Sequence, residues 1–254
     1  MKLFRATTRL TVLLTMTGAL GLSLIAGKVA LIPFRQASLI WRNLHFRTWA
    51  KLVVMLLNIK IHSPAKAPHR PFLLVANHLS YIDIIVLASQ VDCAFVAKSE
   101  VASWPIIGWL SKTADTIFIN RKQHRDLKRA MQDVQALIDK GLGVVLFAEG
   151  TSTAGQSVAP FKSSMLELAA ERQMPVDHAS ISYSTGTDET SPDQSVCWWG
   201  DMTFTDHFFR LLQLSEFDAV VRFGREPIVS DNRRVLAAKL WQAVNAQFIP
   251  VSAH

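Results

Sequence analysis

The stretch Phe72-Leu73-Leu74-Val75-Ala76-Asn77-His78-Leu79-Ser80-Tyr81-Ile82-Asp83 decides how this chain is read. Its first five residues are a continuous apolar run, as expected of a strand covered on both faces. A histidine and a carboxylate then follow, five residues apart, where that strand ends. Residues three or four apart share a helix face and residues five apart do not, so His78 and Asp83 need a turn between them. Ser80 followed by Asp83 reads as an N-cap with an acid in the first turn. That places His78 in a loop and Asp83 at the start of a helix running to about Ser89. An imidazole can take a proton from an attacking hydroxyl, while a carboxylate on its other nitrogen fixes the tautomer and stabilises the imidazolium. The chemistry this pair points to is transfer to an alcohol. On these residues alone the plainer reading stays open, with Asp83 completing a cap and His78 a polar loop residue.

Working outward, apolar runs at Ala94 to Ala97, Thr116 to Ile119, Val144 to Ala148, Ala179 to Tyr183 and Ala219 to Phe223 read as further strands. Between them Leu127, Ala130, Met131, Val134, Leu137 and Ile138 recur at helical spacing, with Gly141 as a stop. Leu236, Leu240, Val244 and Phe248 form a similar stripe near the C-terminus. This alternation predicts an α/β fold, a mostly parallel sheet flanked by helices. Sites in such sheets gather at the C-terminal edge of the strands. His78, Lys98, Arg121 and Glu149 each follow a proposed strand, so four polar groups can converge on one cleft. For Lys98 and Glu149, capping a local turn is an equal alternative to touching a substrate.

Charge is divided unevenly. Residues 1–82 hold eleven Lys and Arg and no Asp or Glu, while the rest holds sixteen basic and twenty acidic residues, giving the chain its net +7. A basic, Trp-bearing, apolar front end followed by a mildly acidic domain suits an anionic membrane surface. Nucleic acid is not expected as a partner, because its binding calls for a basic surface on the domain itself. Leu10 to Ala26 is a run of seventeen uncharged, largely apolar residues. As a helix it extends about 26 Å, and extension to Ile32 completes a span if Lys28 snorkels. A retained anchor fits better than a cleaved signal, since Leu24 or Ile25 stands where a small residue is needed. Phe34 to Ile59 mixes four basic residues with Trp41, Trp49 and aliphatic residues, as an interfacial helix does. The division expected is residues 1–62 as membrane-anchoring helices and 63–254 as an α/β domain.

The two cysteines, Cys93 and Cys197, form no metal pattern and no disulfide framework. No Gly-rich phosphate loop, Gly-x-Ser-x-Gly elbow or His-Glu-x-x-His zinc motif is present.

Several segments taken together resemble one family. The His78-x4-Asp83 spacing, Lys98-Ser99-Glu100-Val101, Phe118-Ile119-Asn120-Arg121, Phe147-Ala148-Glu149-Gly150-Thr151 and Phe161-Lys162 are similar, in order and approximate spacing, to the motifs of glycerolipid acyltransferases of the 1-acylglycerol-3-phosphate acyltransferase type. The likeness covers about residues 70 to 185. It departs where the family usually has proline (here Ala148) and often arginine (here Ser152), and His178 stands where a second proline is usual. The missing arginine removes one phosphate contact. Similar loop variants occur, the resemblance suggests, among enzymes that acylate lyso-ornithine lipids.

The resemblance implies a membrane-associated O-acyltransferase that moves a fatty acyl group from acyl-CoA or acyl carrier protein to the hydroxyl of a lysolipid. The leading acceptor is 1-acyl-sn-glycerol-3-phosphate, giving phosphatidic acid for phospholipid synthesis, and lyso-ornithine lipid is the alternative. A non-catalytic lipid-binding protein with the same fold is the reading from a different class. His78 and Asp83 are expected to be catalytic. Ser80, Lys98, Arg121, Glu149, Gly150, Thr151 and Lys162 are expected to position substrate. Beyond the thioester co-substrate no cofactor or metal is implied. The catalytic domain is expected on the cytoplasmic side of a bacterial inner membrane, where its partners are the lipid surface, the lysolipid and the acyl carrier. Trp104 to Ile107 and Trp109 are candidates for an acyl groove, a membrane face or plain core.

Overall fold

A computed structural model describes residues 1–104, 107–120 and 123–251. The run Phe72–Ala76 is a strand buried at every position. It is preceded by two long helices, α1 (Lys2–Ala30) and α2 (Arg35–Leu57), and by a short strand β1 (Ile59–His62), so Phe72–Ala76 is β2. The chain continues through α3 (Ile82–Gln90), β3 (Cys93–Lys98), α4 (Ile107–Thr113), β4 (Ile117–Ile119), α5 (His124–Asp139) and β5 (Gly143–Phe147). It then passes through α6 (Glu167–Glu171), β6 (Val176–Ser184), α7 (Pro192–Ser195), α8 (Phe204–Gln213), β7 (Phe217–Phe223) and α9 (Arg233–Gln247).

The described strands form one sheet in the order β1-β7-β6-β2-β5-β3-β4. The five from β6 to β4 are mutually parallel, while β7 pairs antiparallel with β6 and carries β1 beside it in its own direction. Because side chains alternate along a strand, Leu74 and Ala76 enter one core with α2, α3 and α8, and Leu73 and Val75 enter the other with α5 and α9. This accounts for the unbroken apolar run. The fold is thus the expected mostly parallel α/β sheet covered by helices on both faces.

Two features go beyond the sequence reading. Ile59–His62, expected at the end of the N-terminal helices, pairs with Phe217–Val220 at the sheet edge. Its four residues show only two apolar side chains, too few to display a period. Second, the stretch Asp188 to Asp201, which carries no periodicity, folds around α7, and the Trp198 N–H donates to the Leu79 carbonyl at 2.8 Å.

The helix α1 is 29 residues long, or about 44 Å. Among the described helices it is the one long and apolar enough to cross a membrane by length and composition. Its N-terminal half is docked on the domain. Ala6 is fully buried, and Leu10, Leu13 and Met16 pack against the core. Arg9 donates to the carbonyls of Leu212, Leu214 and Ser215, where α8 has unsatisfied acceptors at its end. Phe4, Leu22, Val29, Ile32, Ile40 and Leu44 face outward, leaving an exposed apolar surface on the α1–α2 pair.

Candidate active site

The turn after β2 is held from both sides. Asn77 carries the β2–β6 pairing one step past the strand end: its amide donates to the Ile181 carbonyl at 2.9 Å, and its carbonyl accepts the Ile181 N–H at 2.7 Å. From the β5 side, Glu149 Oε1 accepts the His78 N–H at 2.6 Å, and the His78 carbonyl accepts the Thr153 N–H at 3.0 Å. The His78 ring stacks on Phe147 with centroids 4.2 Å apart.

The two groups singled out by spacing meet. His78 Nδ1 lies 2.7 Å from Asp83 Oδ2. The Asp83 side chain is fully buried and that of His78 is 21% exposed, so the pair has a dry end and a reachable end. A carboxylate only accepts, so Nδ1 carries the shared proton and Nε2 is left as the basic nitrogen. Asp83 Oδ2 also accepts the N–H groups of Leu79 at 2.7 Å and Ser80 at 3.0 Å, and Oδ1 accepts the hydroxyl of Tyr183 at 2.6 Å. This corrects the expected cap. Ser80 does not cap α3 with its side chain, and its hydroxyl is fully buried with no protein partner among the described residues. The Asp83 N–H that a capping hydroxyl would take bonds the Ser80 carbonyl at 3.1 Å instead, and only the reciprocal half of the cap, the Asp83 carboxylate on the Ser80 N–H, is formed.

Glu149 has both oxygens engaged by backbone, Oε1 by His78 and Oε2 by the Ala159 N–H at 2.9 Å. The geometry favours the turn-holding alternative over direct substrate contact. Burial pushes its carboxyl up to about 7, partly offset by the His78 and Ala159 donors. An acid whose folded value lies above its ordinary 4.5 binds more protons folded than unfolded, so its contribution to stability falls as pH rises through 4.5 to 7, by about 3 kcal/mol. Glu149→Gln removes that slope at the fixed cost of one lost acceptor. Urea unfolding at pH 4.5, 5.5 and 7.5 should therefore show wild type losing stability relative to the variant as pH rises. A constant difference would refute the assignment.

The remaining expected residues fall as follows. Gly150 has φ +80, the left-handed region that favours glycine, and a Cβ there would lie 2.8 Å from Lys162 Nζ. Thr151 is exposed beside it. His78, Ser80, Asp83, Glu149, Gly150, Thr151 and Lys162 are thus gathered at the adjoining ends of β2 and β5. Lys98 is exposed at the end of β3, two strands from β2 and so roughly 10 Å away. Arg121, Pro105 and Ile106 lie outside the described residues. Trp104 packs against Trp198 and Phe204 near the turn, with ring centroids 5.7 and 6.1 Å away. Trp109 instead lines a cavity of about 40 Å³ between α1, α2 and α4, together with Gly21, Leu24 and Phe46.

Sequence reasoning missed Tyr183 and Asn77 as parts of the site. Asn77 carried a signal, a polar side chain closing a buried strand. Tyr183 carried none beyond a tyrosine in an apolar strand. The N–H groups of His78, Leu79 and Ser80 are all held by carboxylates, so none of the three is available to stabilise an oxyanion.

Residues 58–182 match the family model described as Acyltransferase. The lyso-ornithine lipid O-acyltransferase of Pseudomonas aeruginosa is 31% identical over 223 residues, covering 87% of this chain and 82% of that one. The 1-acyl-sn-glycerol-3-phosphate acyltransferase of Neisseria meningitidis is 27% identical over 198 residues, covering 76% of each. The crystal structure of the 1-acyl-sn-glycerophosphate acyltransferase PlsC from Thermotoga maritima shares the fold, with a TM-score of 0.63 over 95% of this chain and 97% of that one at 20% identity. The chain belongs to the acyltransferase family and is an enzyme of the lysophospholipid acyltransferase type.

Proposed function

We propose that this enzyme acylates the free hydroxyl of a lysolipid at a membrane surface, using a fatty acyl thioester of coenzyme A or acyl carrier protein. The observation that carries the reading is the 2.7 Å contact between a reachable imidazole and a fully buried carboxylate. His78 Nε2 takes the proton as the lipid oxygen attacks the thioester carbonyl carbon. The C–S bond then breaks, and the thiolate leaves with the proton returned from the imidazolium. Asp83 is a positioning residue that holds the tautomer. The exposed apolar face of α1 and α2 supports seating in lipid, and two buried free cysteines fit a reduced, cytoplasmic compartment.

For the acceptor, lyso-ornithine lipid is favoured by the activity named for the Pseudomonas relative and by Ser152 standing where the arginine of the phosphate-binding pattern is absent. A second reading, 1-acyl-sn-glycerol-3-phosphate, is favoured by the Lys162 ammonium lying against the Gly150 loop, where it can meet a phosphate. The full-length enzyme is given an equimolar panel of lysolipids with one isotope-labelled acyl thioester, and the products are identified by mass spectrometry. Labelled ornithine lipid is the expected product. Phosphatidic acid alone establishes the second acceptor, and no acylated lipid from acyl-CoA or acyl carrier protein overturns the reading.

A further inference from the structure

A buried carboxylate is costly unless its lone pairs are satisfied, and the two oxygens of Asp83 are satisfied in different ways. Oδ2 faces His78 and the two backbone N–H groups, whereas Oδ1 accepts from Tyr183, a hundred residues along the chain. Tyr183 is only 3% exposed and its ring packs edge-on against Phe217 at 6.1 Å. Its hydroxyl is placed by β6, which the Asn77 amide grips at Ile181, two residues earlier and hence on the same face of the sheet.

We propose that Tyr183 is a positioning residue for acyl transfer, its hydroxyl fixing the Asp83 carboxylate so that Oδ2 alone is presented to His78. The inference rests on His78 acting as the base. Burial, followed by the charge of Asp83, holds the Tyr183 phenol well above its ordinary range, so it remains a donor at any working pH. An O–H donor favours the ionised carboxylate, and it opposes rotation of that carboxylate about its Cβ–Cγ bond. The titratable groups around Asp83 are His78 on the turn, Glu149 after β5, Tyr183 on β6 and Cys197 in the segment before α8. Side-chain hydrogen bonds to Asp83 come from His78 and Tyr183.

Tyr183→Phe keeps the ring and removes the donor. Full-chain enzyme assayed with acyl-CoA and a lysolipid that wild type acylates should lose roughly 10- to 100-fold in kcat with KM little changed. The acid limb of its kcat/KM profile should move to higher pH, because a carboxylate without this donor attracts the imidazolium more strongly. In an Asp83→Asn background, where no charge remains to be presented to His78, the same substitution should cost much less than in wild type and leave the pH profile unmoved, since the hydroxyl acts through the carboxylate. Equal losses in both backgrounds with an unmoved profile would reduce Tyr183 to packing and overturn the proposal. If Tyr183→Phe does not fold, 3-fluorotyrosine in Tyr81→Phe protein replaces the one remaining tyrosine with a stronger donor. The acid limb should then move to lower pH, and an unmoved limb overturns the proposal. Undiminished turnover by His78→Ala would instead show that the base assignment has failed.

Discussion

His78→Ala is expected to lower acyl transfer by at least ~10²-fold, the lower end of what a positioned general base contributes, while leaving the protein folded. The turn it sits in is held through its backbone, by Glu149 on the N–H and Thr153 on the carbonyl, and neither bond involves the imidazole. Asp83 keeps the Tyr183 hydroxyl and two backbone N–H groups after the ring is gone, so no bare charge is left in the core. What is lost is the stacking on Phe147 and the proton acceptor. Thiol release on mixing a thioester with lysolipid, read beside a thermal melt, separates the two. Near-normal turnover in folded variant would remove His78 from the chemistry.

Asp83→Asn is the second large effect and acts on both activity and stability. If the asparagine carbonyl takes the place of Oδ2, it can still accept from Leu79, Ser80 and His78, and its amide can donate to the Tyr183 oxygen. The site therefore keeps its shape and loses its charge. Without that charge the imidazolium formed during transfer is no longer stabilised and the tautomer no longer enforced, a change that costs on the order of 10⁴-fold in the serine-hydrolase arrangement of the same groups, where the wrong tautomer results. Weakening the charge-assisted bonds to the turn should also lower stability by about 1–3 kcal/mol. Turnover per folded molecule, with the folded fraction taken from denaturant titration, distinguishes the effects. Activity that merely tracks the folded fraction would make Asp83 a structural cap, the plainer reading of the sequence.

The strands that position the site were legible because their burial is local in origin. Phe72–Ala76 is apolar at every position and lies between parallel neighbours, and β5 is the same. The meeting of His78 and Asp83 was legible because a five-residue gap demands the turn that the structure contains. What sequence could not show is which distant group completes a buried carboxylate. The partner of Asp83 Oδ1 arrives on β6 and depends on β6 lying beside β2, a tertiary fact with no local period. The same holds for Glu149. A glutamate in a Gly-containing loop reads equally as a ligand for substrate or as a cap on its own turn, and only the approach of the β2 turn shows its oxygens held by the His78 and Ala159 N–H groups. Ser80 shows the opposite failure. Half of the local capping pattern is formed, the Asp83 carboxylate on the Ser80 N–H, while the Asp83 N–H goes to the Ser80 carbonyl and not to the Ser80 hydroxyl.

The reversed pair β1 and β7 was hidden for a related reason. An apolar run such as that in Phe217–Phe223 announces a strand but not its direction, and direction follows from the segment after β6 bringing the chain back to the end of that strand, where Ser184 pairs with Asp218. Arg5 and Arg9 illustrate this again. In sequence they belong to a basic leader, whereas in the fold they reach the end of α8 at Gln213, Leu214 and Ser215.

The most direct test of the account is thiol release from a labelled acyl thioester under single-turnover conditions, with and without lysolipid. If His78 activates the lipid hydroxyl for direct attack, thiol appears only when the acceptor is present, and the label passes to lipid without residing on the protein. A stoichiometric burst of thiol in the absence of lysolipid, with label bound covalently to the enzyme, would contradict it.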